Sequence, residues 1–191
     1  MMTTEMEYEA KSLLTNEEYQ TLQQWFGKKK AVTQMNDYYD TEAFMLKQQT
    51  AALRVRTKEQ NATLTLKQQT EEGMVETHQS LHAEELALLN TGTLPDGAVK
   101  TAIEALLGNV PSFHHYGQLT THRSTYPYKD GIICLDHSVY NNREDFEIEY
   151  EGTSMTQATT VLFELLQDQH IEYKPAKNKV ARFFATSPYL S

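Results

Sequence analysis

The stretch Glu5-Met6-Glu7-Tyr8-Glu9-Ala10-Lys11 alternates charged and uncharged residues without a break. That is the period of a β-strand whose two faces differ. As a single strand it puts Glu5, Glu7, Glu9 and Lys11 on one face, with same-face neighbours about 6.5–7 Å apart. Like charges at that spacing repel, so something cationic has to compensate them. The pattern returns near the far end as Asp145-Phe146-Glu147-Ile148-Glu149-Tyr150-Glu151, where Glu-Met-Glu-Tyr-Glu is nearly reproduced as Glu-Ile-Glu-Tyr-Glu. Either stretch alone fits the solvated face of an edge strand. Together, with segments between them that carry cations at alternate positions, they describe a charged interior able to hold metal ions and polyanions.

The cationic segments are explicit. In Ala52-Leu53-Arg54-Val55-Arg56-Thr57-Lys58, Leu53 and Val55 face one way and Arg54, Arg56 and Lys58 the other. A turn at Gln60-Asn61 leads to a hairpin partner, Ala62–Lys67, with Leu64 and Leu66 opposite Thr63, Thr65 and Lys67. A turn at Glu71-Glu72-Gly73 then opens Met74–Ser80, which places Glu76 and His78 on one side. Phe113–Tyr126 reads as a long strand carrying Arg123. Lys129-Asp130-Gly131 is a hairpin signal, and Ile132–Tyr140 returns with Asp136.

Helices sit between these strands. Thr15-Asn16-Glu17-Glu18 has the form of a capping box, followed by Tyr19, Leu22 and Phe26 at helical spacing and by Gly27. A strand over Ala31–Asp40 ends in Tyr38-Tyr39-Asp40-Thr41, with a short turn through Phe44 and Leu46. His82–Asn90 and Asp96–Leu107 read as two helices, Ser154 caps a third, and a short basic helix follows Pro175. The class is therefore α+β on an antiparallel sheet. Closure is expected as well, because an open sheet would expose the charged face that a barrel can wrap around a ligand.

Composition narrows the function. A net charge of −9 over 191 residues disfavours a generic binder of nucleic acid or of an anionic membrane, while leaving room for a local basic pocket. The start has neither a basic nor an apolar leader region, and no apolar run approaches the ~18 residues of a membrane span. A soluble, cytoplasmic protein is expected, with one domain over residues 1–191, since no linker or composition break divides it. The single cysteine, Cys134, is expected as a small buried hydrophobe in a reducing compartment. No phosphate-binding P-loop, dinucleotide fingerprint or zinc spacing occurs. His114-His115 is the nearest thing to a metal pair, but neighbours on a strand point oppositely, so a loop or surface role is expected. Lys28-Lys29-Lys30 is expected as a solvated turn.

Carboxylates from two strands are hard oxygen donors suited to Mg²⁺ or Mn²⁺ alongside phosphate oxygens. Arg54 and Arg56 offer planar forks for phosphate, and Lys11 and Lys67 point charges. A row of cations suits a polyphosphate better than a single anion.

In this combination the chain resembles the CYTH domain family, the triphosphate tunnel metalloenzymes. Glu7-x-Glu9-x-Lys11 matches the N-terminal signature. Tyr39-Asp40-Thr41, Leu53-Arg54-Val55-Arg56, Leu64-Thr65-Leu66-Lys67, Arg123, Asp136, Glu147-Ile148-Glu149 and Lys179-x-x-Arg182 follow in the family's order. The resemblance spans nearly the whole chain and is greatest to small bacterial members of Bacillus-type organisms.

It implies an antiparallel closed eight-stranded β-barrel with helices packed outside, whose tunnel binds a triphosphate and a divalent metal. Carried over by position, Glu7, Glu9, Glu147 and Glu149 hold Mg²⁺ or Mn²⁺, with Asp136 as a further candidate. Lys11, Arg54, Arg56, Lys67, Arg123, Lys179 and Arg182 grip phosphates, and Glu7, Glu9, Lys11, Lys67 and Glu149 form the catalytic set. Arg123 and Asp136 also read as a structural ion pair. Glu5 and Glu151 extend the acidic faces towards the rim. Asn178 stands where the family's final motif has serine.

The expected activity is metal-dependent hydrolysis of a linear triphosphate, inorganic or organic, with no nucleic-acid or membrane partner. An adenylate cyclase using the same tunnel and a non-catalytic triphosphate-binding module are the alternatives. Desolvation offsets most of the pairing energy of buried charges, which argues against a scaffold with merely neutralised interior charges.

Overall fold

The computed structural model describes residues 2–71 and 73–187. Glu72, in the expected turn at Glu71-Gly73, and the side chain of Glu5 lie outside the described residues. Nine strands and six helices occur among the described residues. They fall into two compact units: residues up to Glu7 with Gln34–Leu119 and Ser187, and Tyr8–Thr33 with Thr120–Thr186. The antiparallel α+β character expected from the alternation is present in both.

The first unit contains β1 (Met2–Glu7), most of β3 (Val32–Asp40), α2 (Met45–Gln48), β4 (Ala51–Lys58), β5 (Asn61–Gln69) and β6 (Met74–Leu81). It also contains α3 (Ala83–Asn90), α4 (Ala98–Leu107) and the start of β7 (His114–Tyr128). Its strands pair antiparallel in the order β1-β6-β5-β4-β3. Leu53, Val55, Leu64 and Leu66 are all buried on one face, in a core that includes Leu89 of α3 and Val99 and Ile103 of α4. The apolar half of each alternating segment thus drives the packing, and the register that aligns those residues also aligns the polar ones opposite. Gln79 supports the helical layer: its Nε2 donates to Asp96 O at 2.8 Å just before α4.

The second unit contains β2 (Glu9–Leu14), α1 (Asn16–Trp25), the rest of β7, β8 (Gly131–Tyr140), β9 (Arg143–Glu151), α5 (Met155–Asp168) and α6 (Lys179–Ala185). The strand order is β7-β8-β9-β2. Tyr126, Ile133, Leu135, Ile148 and Tyr150 form its apolar face against Tyr19 and Leu22 of α1 and Leu162, Leu165 and Leu166 of α5. The capping box of α1 is complete: Glu18 N donates to Thr15 Oγ1 at 3.2 Å and Thr15 N to Glu18 Oε2 at 2.7 Å. Ser154 caps α5, its Oγ accepting from Gln157 N at 3.2 Å.

Three expectations are corrected. The first acidic run is divided at Tyr8, where the chain changes partner: β1 pairs with β6 and β2 with β9, so a strand that reads as one in the sequence is counted twice among the nine. The turn after β3 contains the short helix α2, held by Asp40, whose carboxylate accepts from Leu46 N at 3.0 Å and Lys47 N at 3.1 Å. The final helix starts at Lys179 instead of just after Pro175. Asn178 is its cap, Oδ1 accepting from Ala181 N at 2.8 Å, as Ser154 Oγ accepts from Gln157 N at the start of α5.

Candidate active site

Register builds the charged rows. In the first unit Arg54, Thr65 and His78 lie opposite one another across β4, β5 and β6, and Lys67 lies opposite Glu76 one step on. Lys67 Nζ bonds Glu7 Oε2 at 2.9 Å and also pairs with Glu76. Arg54 Nη2 lies 3.8 Å and His78 Nε2 3.3 Å from Glu76 Oε2. Glu76 is only 4% exposed. Burial alone would raise its pKa, but Lys67 and Arg54 together hold it below the usual carboxylate value. Arg56 Nε donates to Asn36 Oδ1 at 2.9 Å. Arg54 Nε is buried with no hydrogen-bond partner among the described residues, a donor suited to a phosphate oxygen.

The second unit holds the denser cluster. Arg123, Asp136 and Glu147 align across β7, β8 and β9, and Cys134, Glu149 and Lys11 align across β8, β9 and β2. Arg123 grips Asp136 through both ends of its fork, Nε to Oδ1 at 2.8 Å and Nη2 to Oδ2 at 2.7 Å. It also bonds Glu149, and its Nη1 reaches Glu151 Oε1 at 3.3 Å. Lys11 pairs with Glu9 and lies 3.8 Å from Glu149. From α6, Lys179 Nζ reaches Asp136 Oδ2 at 2.7 Å and Glu147 Oε1 and Glu149 Oε1 at 2.6 Å each. Arg182 pairs with Glu147, and its Nε bonds Asp145 Oδ2 at 2.8 Å.

Asp136 and Glu147 are fully buried and Glu149 is 3% exposed, so their protonation is decided by neighbours. For Glu149, burial opposes the charge, yet Lys179, Arg123 and Lys11 outweigh it and hold the pKa well below the usual range. For Glu147, burial and the adjacent Glu149 outweigh Lys179 and Arg182 and push the pKa up to about 7. Burial disfavours the ammonium of Lys11, but Glu149 and Glu9 reverse that and raise it. Lys179 and Arg123 follow the same logic and are raised by their carboxylates. Burial pushes the Cys134 thiol up, so it sits there as a neutral group, 3.6 Å from Glu151 Oε1.

The candidate residues divide between the two units. Glu7, Arg54, Arg56 and Lys67 are in the first unit. Glu9, Lys11, Arg123, Asp136, Glu147, Glu149, Lys179 and Arg182 are in the second. The Glu7-x-Glu9 motif is divided between them at Tyr8. Of the two readings of Arg123 and Asp136, the ion pair is the one the geometry displays. Asp145 was not singled out by the sequence. The signal existed, since it begins the second acidic alternation, but its partner Arg182 is 37 residues away. His114 and His115 lie exposed at the start of β7, with His115 Nε2 2.8 Å from Asp37.

Oxygens of Asp136, Glu147 and Glu149 converge within 4.8 Å of one another. That all-oxygen donor set fits a hard divalent cation such as Mg²⁺ or Mn²⁺.

The sequence profile of the CYTH domain matches residues 5–184. YjbK of Bacillus subtilis, named as a candidate triphosphatase, is 37% identical over 185 residues, 96% of each chain. A Bacillus halodurans structure, described as a candidate adenylate cyclase, is 40% identical and superposes with a TM-score of 0.89, covering 95% of this chain and 98% of that one. HpAC1 from Hippeastrum, described as an adenylyl cyclase candidate with a dominant triphosphatase activity, superposes at 0.81 with 23% identity over 96% and 99% of the two chains. At that identity it speaks for the fold alone.

Proposed function

Because this chain belongs to the CYTH domain family, we propose that it is a divalent-metal-dependent hydrolase of a linear triphosphate. The observation that carries the reading is the pairing of half-buried cations with buried carboxylates on the polar faces of both units. Desolvation offsets most of what such pairing returns, so charges in this number point to a charged ligand. Triphosphate hydrolysis also agrees with the name of YjbK.

In this reading Asp136, Glu147 and Glu149 hold Mg²⁺ or Mn²⁺ in the second unit, where Glu9 is a further carboxylate, and Glu7 is the metal-ligating candidate of the first. The bound ion supplies charge neutralisation of the phosphates and a lowered pKa for coordinated water. Arg54, Arg56 and Lys67 bind phosphate oxygens, Arg54 with the donor that has no partner among the described residues. Lys11, Arg123, Lys179 and Arg182 add positive charge where the terminal phosphoryl group gains negative charge. The setting is cytoplasmic and the substrate a small molecule; no helix among the described residues is long and apolar enough to cross a membrane.

Phosphate release from tripolyphosphate, ATP and thiamine triphosphate, with Mg²⁺, Mn²⁺ or EDTA, tests the reading. Release that needs metal and disappears in folded Glu9→Ala and Arg56→Ala protein is expected. Release indifferent to both substitutions refutes it. A cyclase is favoured by the description of the Bacillus halodurans structure. Cyclic AMP formed from ATP, without phosphate release from tripolyphosphate, would establish that second reading.

A further inference from the structure

Lys179 and the Asp136–Glu147–Glu149 trio were each assigned a ligand above, the lysine a phosphate and the trio a metal. In the structure they hold each other. The ammonium is within 2.7 Å of an oxygen of all three carboxylates. Oxygens of the same three groups converge within 4.8 Å of one another, so the carboxylates offered to a metal are those the ammonium holds.

We propose that Lys179 is a built-in cation that occupies the trio until a divalent metal displaces its ammonium. The inference rests on the metal-binding reading of the trio and adds what guards it. Two observations make the exchange feasible without undocking α6. First, the helix has anchors that do not involve the trio: Phe183 is fully buried, and Asn141 Nδ2 donates to Phe183 O at 3.0 Å and to Thr186 Oγ1 at 3.1 Å. Arg182 Nε also bonds Asp145 at 2.8 Å, while its other end pairs with Glu147 of the trio. Second, Lys179 is the first residue of α6, preceded by the irregular segment 172–178, and its side chain is 12% exposed. A long flexible stem at a helix start can swing while the helix stays docked.

The consequence is a coupled exchange of charge. Without metal, the ammonium spans all three buried carboxylates, each of which Arg123 or Arg182 also pairs. When a divalent ion takes the trio, the freed ammonium becomes available to an anionic phosphate. Metal and triphosphate therefore bind with positive cooperativity, each removing the partner that blocks the other.

Lysine acetylation read by mass spectrometry tests this on the wild-type protein, in EDTA and through a Mn²⁺ titration. Lys179 is expected to be protected in EDTA and to label ~10-fold faster at saturating Mn²⁺, while Lys174 and Lys129 are unchanged. Calorimetry is expected to give ~10-fold tighter Mn²⁺ binding to Lys179→Met than to wild type, since the cation that spans all three carboxylates is gone. Mn²⁺ binding with Lys179 still protected overturns the inference and leaves the metal-dependent hydrolase intact. Absence of Mn²⁺ binding to both proteins overturns the inference and the metal assignment together. If Lys179→Met fails to fold, the wild-type labelling decides alone.

Discussion

Arg123→Leu separates the two roles that sequence assigned to Arg123. The guanidinium makes a two-point grip on Asp136, at 2.8 and 2.7 Å, and bonds Glu149 as well. Asp136 is fully buried, so no water replaces the lost donors. Removing one partner of a buried pair costs about 3–5 kcal/mol. Lys179 remains beside Asp136 at 2.7 Å, which places the expectation near the lower end, about 3 kcal/mol. For a chain of this size that corresponds to a fall in Tm of roughly 6–12 °C. The assay is urea unfolding at pH 7 in EDTA, with Arg123→Lys alongside. Lysine keeps the charge and loses the fork, and should forfeit about 1.5–3 kcal/mol. A loss below about 1 kcal/mol for Arg123→Leu, typical of an exposed pair, with triphosphate binding strongly weakened, refutes the structural role. Arg123 would then be held for the ligand instead of the fold.

Two further predictions concern protonation and capping. Glu147 has its pKa raised from 4.5 to about 7, so the folded chain holds that proton more tightly than the unfolded one. Its contribution is full below 4.5 and is lost as pH rises to about 7. Wild type should therefore lose stability relative to Glu147→Gln across that window in EDTA, and parallel pH profiles would show the assignment wrong. Asn178→Ala should weaken the start of α6 by about 1 kcal/mol, read as faster amide exchange at Ala181, with Asn178→Ser restoring protection; equal exchange in all three proteins would show that the cap contributes nothing.

Strand alternation was legible because its cause is local. Successive side chains leave a strand on opposite sides, so Leu53, Val55, Leu64 and Leu66 declare the apolar face and Arg54, Arg56 and Lys67 the charged one. Caps were legible for the same reason, as at Thr15 and Ser154, since donor and acceptor lie three residues apart. The break at Tyr8 was not: nothing in Glu-Met-Glu-Tyr-Glu distinguishes it from the unbroken Glu-Ile-Glu-Tyr-Glu of β9. It arises because β1 and β2 find different partners, β6 and β9, far along the chain.

The sequence by itself determined that this chain makes two-faced strands with carboxylates and cations on their polar sides, and which residues those are. Only the tertiary structure decided which charge meets which. Lys179 is 43 residues from Asp136 in the numbering of the chain yet 2.7 Å away in space, and Arg123 is 26 residues from Glu149. Alternation sets the face of a side chain, whereas its partner depends on strand register and on where α6 docks. Those follow from the burial of remote apolar residues such as Phe183 and Ile148.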